Sequence, residues 1–304
     1  VSRPLPQSVH VIERNWLSSN IVVFDNEQSV TVVDTGYDTH SALTESLVER
    51  ARRDRPLGQI INTHLHSDHC GGNARLARRH ACEVLVPAAS LDRCTRWDRQ
   101  ALSFDATGQR CERFSPTGAI EPGQTLALGS LKWKVFAAPG HDPDSIVLFE
   151  PEGRILISAD ALWQDGFGVI FPELCGQSGF TEQRAMLDLI ERLEPAIVIP
   201  GHGPVFDDVA QALDRARSRL DFLSKNPERH ARYALKVLVR YLMLELERAT
   251  RAQIMARLLP AAVVQSTAAL LALDTEVALD QAIDSLVTGG QLSRDEAGTL
   301  ESQA

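Results

Sequence analysis

No apolar run in this chain approaches the length of a membrane span, and the opening Val1-Ser2-Arg3-Pro4-Leu5-Pro6 has no signal-peptide core. A cytoplasmic protein without a membrane partner is therefore expected, and because the first residue is not Met, a few residues are expected to precede it. Cysteine is scarce. The five cysteines, Cys70, Cys82, Cys94, Cys111 and Cys175, are odd in number, scattered and free of any C-x-x-C pair, which suits reduced thiols better than a disulfide framework. Positive charge is also short, at 31 Lys plus Arg against 40 Asp plus Glu. The resulting net charge of -9 disfavours indiscriminate binding to nucleic acid, which needs a basic surface. What is present is an ordinary globular composition, and 304 residues suffice for one large core plus a small second domain.

Histidine carries the chemistry. Of nine histidines, His10, His40, His80 and His230 lie in plain helical or terminal contexts, and the other five fall in three turn motifs. The first is Thr63-His64-Leu65-His66-Ser67-Asp68-His69, set between the apolar run Gln59 to Asn62 and a helix start. His64 and His66, two apart in extended backbone, point the same way and can reach one cation. Asp68 and His69 follow once the chain has begun to turn, so they face a second point nearby. Pro139-Gly140-His141 and Pro200-Gly201-His202-Gly203 each follow a strand-like run, and Ile155 to Asp160 puts a carboxylate at another strand end. Ligands at the ends of separate strands can converge on one sheet edge.

This ordered set, Asp34, HLHSDH at 64 to 69, His141, Asp160 and His202, resembles the metallo-β-lactamase superfamily of hydrolases over roughly residues 8 to 206. The likeness implies a four-layer αββα sandwich and two divalent ions, zinc first, with iron or manganese able to occupy similar sites. By it His64, His66 and His141 hold the first ion, Asp68, His69 and His202 the second, and Asp160 bridges them. Asp34 would brace the ligand loop from behind, although by its position it could also cap the helix from Ser41 to Arg52. A hydroxide shared by the two ions would attack an ester-like bond, oriented by the catalytic Asp68.

Strands at 9 to 12, 21 to 24, 29 to 33 and 83 to 86 alternate with helices at 41 to 52 and 71 to 80, so an α/β layered fold follows. Residues 88 to 118 are less regular and could cover the site mouth or form a dimer contact. A hairpin is expected around Gly129-Ser130. The stretch from Leu162 to Phe180, with Trp163, Phe167 and Phe171, is the candidate substrate wall, against the alternative of an aromatic cluster covering the sheet edge. A helix from Thr181 to Leu193, capped by Thr181, leads to the last core strand. Two domains are expected, 1–206 and 207–304. The second is helical (208 to 225, 228 to 248, 250 to 259 and 275 to 287) and ends in a Gly turn and a polar tail, like a winged-helix unit. Its residues 228 to 304 carry eight basic and ten acidic side chains, so reading DNA is not expected; a clamp over the site or a homodimer contact is.

Asp160 at the bridging position, in place of Cys, resembles the glyoxalase II branch, and His66 in place of Glu argues against the di-iron flavoprotein branch. The 41 residues between Asp160 and His202 leave no room for a large inserted domain. A small acyl substrate follows, thioester first and lactone second, although no basic glutathione-binding pattern is evident. Asp142 and Asp144 depart from the small or hydroxyl residues usual around His141. The rivals are a mononuclear iron oxygenase of the persulfide-dioxygenase kind, a ribonuclease, and an inactive scaffold. Cys70 opens a helix and is expected to pack.

Overall fold

The β-branched runs of the first third pair into a six-stranded sheet: β1 (Val9–Ile12), β2 (Ile21–Asp25), β3 (Val30–Val33), β4 (Leu57–Ile61), β5 (Glu83–Pro87) and β6 (Gly118–Ile120), in that order. The computed structural model describes residues 3–303. The first three strands are antiparallel and β3 to β6 run parallel. Parallel neighbours require crossovers. These are α1 (Ser41–Arg52), then α2 (Ser67–Cys70) with α3 (Asn73–His80), then α4 (Leu91–Arg96) with α5 (Phe104–Thr107). The helix expected at 71 to 80 is α3, and a separate turn of helix, α2, precedes it across Gly71-Gly72 and holds Asp68 and His69.

The second sheet has five strands in the order β11 (Ile197–Pro200), β10 (Ile155–Ala159), β9 (Ile146–Glu150), β8 (Leu131–Ala137), β7 (Thr125–Leu128). Only β10 and β11 are parallel, joined through α6 (Phe171–Leu174) and α7 (Phe180–Leu193). Thr181 does not cap α7. Its N-cap position is Gly179, and the Glu173 carboxylate accepts from the backbone N–H groups of Gly179 and Phe180 at 2.8 Å each.

Period-two alternation sorts the core into layers. Val22, Phe24, Val33 and Ile61 meet Trp133, Leu148, Ile157 and Ile199 between the sheets. On the outer face of the first sheet Ile21, Val23 and Ile60 pack with Val48 of α1 and Leu76 of α3. On the outer face of the second, Val147, Leu156 and Val198 pack against α7 and α8 (Val209–Ser224). The result is the α/β/β/α stack expected from the sequence.

The C-terminal region continues with α9 (Pro227–Leu246), α10 (Arg251–Leu258), α11 (Ala262–Leu270) and α12 (Thr275–Thr288). A small sheet of β12 (Arg248–Ala249), β14 (Leu300–Ser302) and β13 (Leu292–Arg294) closes it, so the polar tail is a hairpin. Its core, built on Leu235, Leu242 and Ile283, also takes in Ala106, Val169 and Leu174 from the sandwich. Glu245 of α9 fastens this contact, accepting from Tyr37 Oη at 2.7 Å and from Arg257 Nη2 at 2.8 Å. Among the described residues no single helix is long and apolar enough to cross a membrane.

Candidate metal centre

The ligand-bearing loop starts where β4 ends, and its shape is set by Asp34 at the end of β3. Asp34 has left-handed backbone, φ +60°, sparsely allowed for a residue with a Cβ. Its carboxylate accepts from Thr63 N (2.9 Å), Thr63 Oγ1 (2.7 Å) and His69 Nδ1 (2.7 Å). Those bonds occupy both oxygens, and α1 begins after His40 with no side-chain cap, so the helix-cap alternative for Asp34 is ruled out.

Two donor groups gather above this brace. In the first, His66 Nδ1 lies 3.1 Å from His64 Nε2 and 2.8 Å from His141 Nε2. The partners on the far side of each ring fix which nitrogen is bare. His141 Nδ1 meets the carbonyl of Val169, which only accepts, so Nε2 carries the lone pair. Thr63 Oγ1 gives its proton to Asp34 and so accepts from His64 Nδ1, and Asp142 Oδ2 lies 3.5 Å from His66 Nε2. Three lone pairs therefore point at one spot, an arrangement that a cation satisfies.

The second group is Asp68, His69, Asp160 and His202. His202 Nε2 is 3.1 Å from Asp68 Oδ2, and His69 Nε2 is 3.4 Å from Asp160 Oδ1. His69 Nε2 is buried without a hydrogen-bond partner, an orphaned lone pair that suits a metal. The Asp160 carboxylate reaches both groups, since its other oxygen is 3.4 Å from His141 Nε2. All seven sequence-predicted donors thus come together, four from the end of β4 and three from the ends of β8, β10 and β11. Two glycines permit this crowding. A Cβ on Gly201 would lie 2.2 Å from Asp160 Oδ1, and one on Gly168 would lie 2.4 Å from His141 Nδ1.

Electrostatics prepare most of the donors for a cation; His69 is the exception, its imidazole held well above the ordinary pKa, against burial, by the carboxylates of Asp160, Asp34 and Asp68. Burial, together with the neighbouring imidazoles, holds His64 well below its ordinary pKa and His66 down to about 4, so both rings stay neutral. Burial would raise Asp160, but His69 and His202 outweigh it and keep the carboxyl well below its usual range. Asp68 is lowered against its burial by the same two rings.

The centre opens into a cavity of about 520 Å³. Trp163 lines it and donates from Nε1 to Asp160 Oδ1 at 3.2 Å; Phe171 lines it too, its ring 5.2 Å from that of His66. Phe167 does not. A bridge between Trp163 and Gly166 reverses the chain and turns Phe167 into the outer core of the second sheet, where it is 1% exposed. The irregular segment 88 to 118 packs Leu102, Phe104 and Phe114 beneath the first sheet and brings Thr107 and Gln109 to the cavity. Cys70 is buried, belongs to neither donor group, and lies 3.8 Å from Cys111 sulfur to sulfur. Asp144 accepts from Ser90 and pairs with Arg93, away from the donors.

Two contributions escape the sequence reading. Trp16 stacks on His202 at 5.5 Å and carries no local signal. The stripe Tyr233, Lys236, Val237, Arg240, Tyr241 and Leu244 of α9 forms a cavity wall, and its i, i+3, i+4, i+7 spacing marks one helix face without telling a cavity wall from a core-packing stripe.

The profile of the Metallo-beta-lactamase superfamily matches residues 14–202. The chain belongs to that superfamily. Among curated proteins it is 29% identical over 230 residues to the Bos taurus acyl-coenzyme A thioesterase MBLAC2, covering 68% of this chain and 79% of the relative. It is 24% identical over 196 residues to the hydroxyacylglutathione hydrolase GloC of Haemophilus influenzae, covering 60% and 84%. Among solved structures, a metallo-beta-lactamase family protein from Thermus thermophilus matches with TM-score 0.58 at 17% identity over 99% of this chain and 100% of its own. The likeness of fold therefore runs through the C-terminal helices.

Proposed function

We propose that this superfamily member hydrolyses an acyl thioester, with lactones as the second substrate class, at a centre of two divalent ions, zinc first. The observation that carries the reading is the pair of complete donor groups sharing Asp160 at the end of one cavity. The likeness to two thioester hydrolases supports the substrate class. His64, His66 and His141 would hold one ion, Asp68, His69 and His202 the other, with Asp160 between them. Ions bound there would lower the pKa of water towards neutrality and polarise the acyl carbonyl.

The chain's own residues supply position and proton handling. Asp34 fixes the tautomer of His69, and the Val169 carbonyl fixes that of His141, so each presents a bare nitrogen. Asp68 faces the cavity beside His202 and is placed to orient water and accept its proton. Trp163, Phe171 and Trp16 shield the reacting carbonyl from bulk solvent. In the reaction the water oxygen bonds to the acyl carbon, the carbon–sulfur bond breaks, and the thiolate leaves to take a proton, giving acid plus thiol. The second complete donor group favours this over the single-iron oxygenase. The C-terminal helices, read as a winged-helix-like unit, act here as a wall of the cavity. Elemental analysis of protein purified without added metal or chelator, alongside a thioester and lactone panel, tests the reading. About two ions per chain with hydrolysis is expected; one iron per chain with oxygen consumption and no hydrolysis overturns it.

A further inference from the structure

Four of the five donor histidines have a polar partner on the ring nitrogen that faces away from the donor group: Asp34 for His69, Thr63 for His64, the Val169 carbonyl for His141 and Asp142 for His66. Such an outer partner fixes the angle and tautomer of a ligating ring. His202 has none. Its Nε2 faces Asp68 Oδ2 at 3.1 Å, and its Nδ1 is buried with no hydrogen-bond partner among the described residues. What holds it instead is the loop between β1 and β2. Asn20, 3% exposed, grips the Pro200-Gly201-His202-Gly203 turn by its backbone: Nδ2 donates to the carbonyls of Pro200 (3.0 Å) and Gly203 (2.8 Å), and the main-chain N–H to that of Gly201 (2.7 Å). Its Oδ1 accepts from Arg14 N at 2.9 Å, so every polar atom of the side chain is used. Trp16 of the same loop stacks on the His202 imidazole, the rings 5.5 Å apart and 10° from parallel. Ser19 N donates to the Asp68 carbonyl at 2.9 Å, so neighbouring residues of one loop hold two donors that are 134 apart in the chain. The loop is anchored in turn from α9, where Tyr241 Oη donates to the Leu17 carbonyl at 3.2 Å. Among the described residues none of these contacts reaches His64, His66 or His141.

We propose that residues 14–20 are the positioning element for the second ion, with Asn20 acting through the backbone of His202 and Trp16 through its ring, in place of the hydrogen bond that Nδ1 lacks. This rests on the two-ion reading of the centre. An amide is the group this position requires, because one nitrogen with two N–H bonds satisfies two carbonyls. A carboxylate of the same shape has no proton to give and leaves both carbonyls buried and opposed by negative charge. The consequence is selective. Affinity for the ion at Asp68, His69 and His202 depends on the loop, whereas affinity for the ion at His64, His66 and His141 does not.

Zinc withdrawn from the loaded full chain by a coloured chelator of graded strength reads both ions without an activity assay. Asn20→Asp and Trp16→Leu should each weaken the hold on one of the two ions about 10- to 100-fold and leave the other as in wild type. Trp16→Phe, which keeps a ring over the imidazole, should recover most of that loss. Trp16 is 54% exposed, so its variants fold even if Asn20→Asp does not. In a His202→Ala background neither Asn20→Asp nor Trp16→Leu should loosen either ion further, since both act through the ring that is gone. Val48→Ala, which opens a cavity in the outer core of the first sheet, controls for general loss of stability and should change the release of neither ion. Loop variants that leave both ions as in wild type, loosen both alike, or add their loss to that of His202→Ala overturn the positioning role. Release of a single ion per chain from wild type overturns the two-ion reading on which it rests.

Discussion

Asp34 and Asp160 show how single carboxylates set this centre. Asp34 touches no position where an ion would sit, yet three N–H and O–H donors from the ligand loop end on it. Asp34→Asn keeps the shape but removes the charge opposite His69 Nδ1, and metal affinity should fall about 10- to 100-fold. Competition with a coloured chelator measures that loss, and an unchanged affinity would show the brace to be dispensable. Asp160→Ala should lower metal content and hydrolysis together, because its two oxygens face both donor groups. Cys70→Ala should alter neither strongly, its sulfur being packed against Cys111 outside both groups. Elemental analysis and the thioester assay on the same preparations distinguish the two variants.

At the level of elements, α9 joins the C-terminal region to the ligand-bearing half. Glu245 is 3% exposed at its side chain and is satisfied by Tyr37 and Arg257. Tyr37→Phe removes one donor to a buried charge and should cost about 2 kcal/mol in urea unfolding. Buried, and next to the Glu245 carboxylate, Tyr37 has its phenol pushed far above the usual range, so it stays a donor at any working pH. The element layout was largely legible, because β-branched runs, Pro-Gly turns and amphipathic periods coincide in β1 to β5 and β7 to β11, whereas β6, α4 and α5 lie in or beside the segment read as irregular. α11 was not: its Ala-Val-Val start has no polar cap, and its β-branched pair weakens any helix signal. Phe167 misled for a related reason, since sequence gives aromatic type but not which way a turn such as Trp163 to Gly166 points its residues. The seven donors were legible because metal binding demands rare residue types at strand ends. The brace by Asp34 is tertiary and became visible only with Thr63 and His69 beside it. The α9 wall was missed because its periodic stripe has the same pattern as a helix packed on a core.

Over the whole molecule, the pH response of stability follows from buried histidine. His230, in the first part of α9, is 2% exposed, packs its ring on Phe180 at 5.1 Å, and is pushed down to about 4 by burial and by Arg219. Its folded pKa is depressed, so the unfolded chain binds the extra proton between the ordinary value near 6.5 and about 4. The contribution is fully present above that window and is lost as pH falls through it, amounting to about 3 kcal/mol at most. The urea midpoint of wild type should fall relative to that of His230→Leu as pH drops through that window, and parallel curves would exclude the effect. The donor groups act on the same scale, because each draws residues from both sheets. His66 and His141 are 75 residues apart in the chain, and Asp68 and His202 are 134 apart. An ion in either group is therefore a cross-link that closes a long loop, comparable to a disulfide spanning about 100 residues and contributing about 4 to 5 kcal/mol. Chelation should then lower the melting temperature and speed amide exchange where the two sheets face each other, in calorimetry and hydrogen exchange on one sample. The same ions that would activate water would rivet the sandwich, so metal supply would set how long the folded chain survives as well as how fast it works.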